Sequence, residues 1–393
     1  MSENPGRTTT YRALVAAGEP FRLLFPLGAV FALLGVALWP AFAWGLLPDY
    51  PGIPHARTMI HGFMGAFVMG FLGTALPRLL DVPRVRGREV SCYALGLGLT
   101  TGLHLAGLTF WGDTAFLLTF GAFLAGLLRR ARRRRDMPPP GFVLVILGLL
   151  CGFAGTVLML PVQPWAYATG RLLLYQGFLL LPVMGVGAFL LPRFFQLPGR
   201  QSFPESLQPP PGWWPRALFA LACGALVFAS FALEIVGAVA AGHLLRAGAV
   251  LLYFWREVPA HKAKFNTGTL AGALRLALLA IPIGLLATVV VPMQHRIGLL
   301  HLVFITGFGL LTLTVATRVI FGHCGQSHRF KERLPSVRIM AACFIAALAL
   351  RIRGEFALPE RFTLYAIAAV IWIAGLLVWA VRILPHVRKP DAE

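Results

Sequence analysis

Stretches of about twenty residues with almost no charge recur from Phe21 nearly to the end of the chain, each long enough to cross a bilayer as a helix. Within hydrocarbon every backbone N–H and C=O must find its partner inside the protein, which a helix achieves alone. With 58% apolar and 13% charged residues, a soluble domain of 393 residues is excluded, because its surface would have to be far more polar. The chain reads as an all-α, polytopic helix bundle in a lipid bilayer. Twelve transmembrane helices are expected, roughly over residues 21 to 47, 58 to 80, 91 to 111, 114 to 128, 141 to 160, 168 to 191, 216 to 240, 242 to 257, 270 to 292, 296 to 320, 334 to 352 and 363 to 384.

A net charge of +20 would point to nucleic acid in a soluble protein; here the Lys and Arg lie mostly in short loops and act as topology signals, so no nucleic-acid partner is expected. With the N-terminus inside, 28 of the 35 Lys and Arg fall on the cytoplasmic side, and both termini are expected there. This gives a cytoplasmic segment over 1–20, a membrane domain over 21–384 and a cytoplasmic tail over 385–393. The N-terminal stretch lacks the apolar core and cleavage site of a signal peptide, so the first helix is expected to be retained. The Pro-rich stretch from Pro192 to Pro215 reads as an irregular cytoplasmic connection. Five scattered Cys without a CxxC indicate neither a disulfide framework nor a thiolate metal site.

Three segments, HGFMGAFVMGFLGTALPR (61–78), QGFLLLPVMGVGAFLLPR (176–193) and HLVFITGFGLLTLTVATR (301–318), align without gaps on helices 2, 6 and 10. Every fourth helix repeats, which suggests three four-helix units around a pseudo-threefold axis. Small residues also recur in packed membrane helices for steric reasons alone. Arg78, Arg193 and Arg318 end the three segments and are expected to reach cytoplasmic phosphates.

Of ten His, His261, His323, His328 and His386 sit among basic cytoplasmic residues and receive no site. The other six, His55, His61, His104, His243, His295 and His301, all fall in the outer half of the membrane or just above it. Imidazole is a common ligand of haem iron and copper, and ionisable groups within a bilayer usually line the bundle interior. HARTMIH and HRIGLLH share one His-x5-His spacing at matching points of the repeat. Six residues turn a helix about 120° out of register and advance about 9 Å, so neither pair chelates one metal by itself. Ligation across helices fits better. His61 with His301 would flank a haem or share a metal, and His55 with His295 would serve a second, more exposed site. His104, about 10 Å below the outer end of helix 3, suits either. His243 completes the metal candidates, and Arg171, Gln176 and Arg246 are further cofactor contacts, with Arg suited to a haem propionate. Gln176 holds the repeat position of His61 and His301. A Glu234–Arg246 ion pair is the plainer reading of that arginine.

The segments EPFRLLFPLGAVFALL, GFLGTALPR, QGFLLLPVMGVGAFLLPRFF and HLVFITGFGLLTLTVATRVIFGH resemble the NnrS family over most of the chain. The resemblance implies a bacterial inner-membrane protein with twelve spans, containing haem (b-type) and copper and linked to denitrification and tolerance of nitric oxide. Its partner would be nitric oxide or a metal-nitrosyl species. Where the family commonly has His-Ala-His-Glu before helix 2, this chain has His55, Ala56, Arg57 and Thr58, so that motif carries over only to His55. The Arg318-to-His323 match is expected to be structural. A haem-copper nitric oxide reductase or oxidase is an alternative, although its His-Pro-Glu-Val segment and adjacent His pair are absent. A secondary transporter is another, although it would be expected to show two six-helix halves. The sequence leaves turnover open.

Overall fold

The computed structural model describes residues 10–160, 163–198, 206–264 and 268–390. Residues 1–9 of the expected N-terminal segment, 199–205 of the Pro-rich connection and 391–393 of the tail lie outside them. The described residues form an all-α bundle of long helices: α1 (Phe21–Ala43), α2 (Gly52–Leu79), α3 (Gly87–Leu105), α4 (Thr109–Ala131), α5 (Phe142–Met159), α6 (Pro164–Phe194), α7 (Trp213–Ile235), α8 (Val239–Glu257), α9 (Thr269–Ala287), α10 (Met293–Gly322), α11 (Pro335–Phe356) and α12 (Arg361–Ile383). They follow the expected segments in order. Ten are long and apolar enough to cross a membrane; α3 and α8 are outside that set and carry several charged or imidazole side chains, among them His104 and Arg246.

Helix boundaries shift where turn chemistry overrides hydrophobic periodicity. α2 starts at Gly52 rather than near 58, since Pro54 in the first turn needs no N–H partner. α3 stops at Leu105 rather than near 111, because Gly107 adopts φ +75°, a left-handed helix terminator. His104 therefore lies in the last turn of α3, not deep within it.

Consecutive helices pack as hairpins, and α12 returns to lie along α1, closing the bundle. α2, α6 and α10 each contain a π-helical stretch, at Thr58–Met64, Leu173–Gly177 and Leu302–Gly309. π-turns insert a residue, rotate the side chains that follow, and are frequent at functional sites. The one in α2 contains His61.

The start of α1 and the end of α12 meet at one end of the bundle. Buried Arg22 donates to Val387 O and Lys389 O, both at 2.6 Å, and to His323 O at 3.1 Å. Its Nε pairs with Glu19 at 2.5 Å, and Glu19 also accepts from Arg78. Arg78 further donates to His323 Nδ1 at 2.6 Å, while Arg193 and Arg318 lie over Phe189 and over Phe194 and Phe330. These arginines have protein partners rather than only lipid phosphates, and His323 belongs to a structural clamp.

Burial alone would raise the Glu19 carboxyl, but His323, 3.6 Å away, and the hydrogen bond and charge of Arg22 hold it at about 2. A depressed carboxyl stabilises the fold above its unfolded pKa of 4.5, and that contribution is lost as pH falls towards 2. Glu19→Gln is expected to destabilise the protein at neutral pH by about 3–5 kcal/mol, as for a broken buried pair. Thermal melting against pH checks this: the variant should melt lower at pH 7 and lose less than the wild type on acidification below 4.5.

Candidate metal centre

Side chains from four helices meet in the buried interior. His61 (α2), His104 (α3) and Asp113 (α4) are essentially buried, and their ligand atoms lie within 4.8 Å of one another. His61 Nδ1 is 3.1 Å from His104 Nε2, and Asp113 Oδ1 is 3.5 and 3.7 Å from those nitrogens. A first-row ion with arms of about 2.0–2.1 Å sets tetrahedral ligand atoms about 3.3 Å apart, close to this triangle.

The hydrogen bonds aim these atoms inward. Thr156 on α5 spends its proton on Gly152 O at 2.8 Å, so at 3.2 Å it accepts from His61 Nε2–H. This leaves the His61 lone pair on Nδ1, facing the other two ligands, as an outer-shell partner does for a metal-bound His. Phe116 stacks on His61 at 3.9 Å. Gly112 makes room for His104, since a Cβ there would fall 2.5 Å from the imidazole.

Arg57, fully buried, neutralises the carboxylate. Its Nη2 donates to Asp113 Oδ2 at 2.9 Å and its Nη1 to Tyr175 OH at 2.7 Å. Its Nε lies 2.8 Å from Asp113 Oδ1 but outside hydrogen-bonding alignment, so Oδ1 remains a buried acceptor without a hydrogen-bond donor. A buried orphan oxygen is costly, and this one faces two imidazole nitrogens. The residues fit a metal ion.

Two further His lie on α2 and α10. His55 Nδ1 donates to Gly35 O at 2.9 Å and His301 Nδ1 to Ile297 O at 2.7 Å, which leaves each Nε2 to a ligand. Both rings are half-buried, and they interact electrostatically with each other and with Arg351. A His whose Nδ1 is spent on a carbonyl keeps Nε2 for a metal, so the donor chemistry of these two residues suits haem iron.

The expected partners are therefore distributed differently. His61 contacts His104 rather than His301, which hydrogen-bonds Ile297 O and lies edge-on to Phe304. His295 stacks on Phe356 at 4.6 Å. His243 donates to Thr288 Oγ1 at 2.8 Å. Arg246 pairs with Glu234 at 2.8 Å, with Ser230 Oγ at 2.9 Å and with Gln176. The plain ion-pair reading of Arg246 is present in the structure. Arg171 is exposed. Counted from helix ends, the His104 position corresponds to Glu234 and Glu355, and the Asp113 position to His243 and Tyr365. On α11 and α12 those two residues bond directly, Tyr365 OH to Glu355 at 2.6 Å.

Sequence reading missed Asp113 and Arg57. Asp113 lay in an expected loop, although Asp113, Phe116, Phe120 and Phe123 form one helical stripe, all buried.

The fold and the site together describe a multi-pass all-α membrane protein with a buried His–His–Asp cluster of metal-ligand chemistry. A haem-copper terminal oxidase, solved as a dimer by cryo-EM, shares the fold with a TM-score of 0.60 at 12% identity, covering 98% of this chain and 85% of that one. No curated protein sequence matches the chain. The family model for NnrS protein matches residues 16–390, and the chain belongs to the NnrS family. Membership of that family makes it a haem/copper membrane protein linked to nitric oxide metabolism.

Proposed function

We propose that copper is held by His61, His104 and Asp113, that a b-type haem is held between His55 and His301, and that nitric oxide or a metal-nitrosyl species meets these centres from the periplasmic side. The observation that carries this reading is the buried ligand triangle with its donorless Asp113 oxygen. Copper and haem iron each supply direct coordination of nitric oxide. The chain's own residues do the rest: Thr156 fixes the His61 tautomer, Arg57 balances the Asp113 charge, and Phe116 covers the imidazole. His243 and His295 stand outside this ligand set in supporting contacts.

The architecture we infer has twelve spans in three four-helix units, with cytoplasmic termini. It is supported by the π-turns in α2, α6 and α10, and by the meeting of the two chain ends at Arg22.

The test is an optical spectrum of detergent-purified protein, oxidised and dithionite-reduced, with and without nitric oxide, alongside iron and copper analysis. Soret and alpha bands that shift with nitric oxide, with both metals present, are expected. A colourless protein free of iron and copper, reproduced after growth with haem precursor and copper, would overturn the reading and favour transport.

A further inference from the structure

Between α2, α6 and α10, with Phe25 of α1 at its edge, lies a partly open cavity of about 100 Å³. Its walls follow the sequence repeat. Val68, Val183 and Phe308 share one register and all line it, as do Phe71, Val186 and Leu311 one turn on.

Thr312 is the one polar side chain in the wall, and its hydroxyl is already directed to Met64 Sδ at 3.6 Å. Water needs two to four polar partners to enter a cavity, whereas apolar cavities of about 150 Å³ stay dry and take up xenon or benzene. The volume here suits something smaller than benzene. Met64, also in the wall, lies three residues beyond His61 in the same π-helical stretch of α2.

We infer that this cavity is a binding site for a small uncharged gas molecule, with Met64 in its wall three residues along α2 from His61. That the gas is nitric oxide rests on the function proposed above; the cavity's affinity for an apolar gas does not.

The probe is xenon, followed by NMR of the purified full-length protein. Two substitutions narrow the cavity with residues the repeat already uses at those registers: Val183→Phe, matching Phe308, and Val186→Phe, matching Phe71. The wild type should bind xenon in saturable fashion, and the double variant should not. Val68→Ala enlarges the cavity and should strengthen binding, which keeps the test decisive if the double variant folds poorly. In protein with full haem and copper content, the double variant should associate with nitric oxide severalfold more slowly, yet reach the same final spectrum. No xenon binding by the wild type, equal binding by the filled variant, or a co-purifying acyl chain in the cavity would overturn the inference. Loss of haem and copper from all samples with xenon binding intact would instead overturn the proposed function and leave the cavity site standing.

Discussion

Replacing Asp113 with alanine is expected to lower copper affinity at least about 100-fold, since even outer-shell partners of a metal are worth roughly 10- to 100-fold. It should also cost about 3–5 kcal/mol of stability, because removing one partner of a buried ion pair leaves the other charge uncompensated. Arg57 is the charge in question. It is 1% exposed, and its remaining side-chain partners are Tyr175 OH at 2.7 Å and Met159 Sδ at 3.3 Å, neither of which is an anion at neutral pH. Replacing both members, as Arg57→Met with Asp113→Ala, should restore much of the stability, as apolar substitutes for buried pairs often do. It should not restore copper. Melting curves and copper analysis of the three variants separate the two roles, and an Asp113→Ala protein with wild-type melting and full copper would contradict both.

His55→Ala and His301→Ala are each expected to abolish or strongly deplete the haem. Each imidazole already commits Nδ1 to a backbone carbonyl, Gly35 O or Ile297 O, so each is oriented with one nitrogen left for iron. His61→Ala should keep the haem and lose copper, and His295→Ala should keep both. The haem spectrum and metal content of the four variants check the assignment. Loss of haem from His61→Ala with copper intact would return His61 to the partnership with His301 that repeat register alone suggests.

Much of this arrangement is written in the chain. The apolar runs specify the helices and their order, and the repeat of His61, Gln176 and His301 marks the three helices that line the cavity. Partner choice was less legible. Register along a helix says how deep a side chain lies, not which neighbour it faces, and the π-turn over Thr58–Met64 rotates the helix at His61. Asp113 was hidden by a helix start placed near 114 instead of at Thr109, because an acidic residue beside Gly112 looks like a turn. Arg57 falls within the same HARTMIH run as both histidines, yet its role depends on a carboxylate from α4 and a phenol from α6, contacts between segments distant in sequence. The Glu19–Arg22–Arg78–His323 clamp was illegible for the same reason, and there basic residues expected at the lipid surface turn back onto the protein.

The central claim is that His61, His104 and Asp113 hold the copper. Copper-edge X-ray absorption of the purified protein, compared with His104→Ala, tests it most directly. The account predicts outer-shell scattering from two imidazoles in the wild type, falling to one or to no bound copper in the variant. An unchanged copper spectrum in His104→Ala would place the metal elsewhere and contradict it.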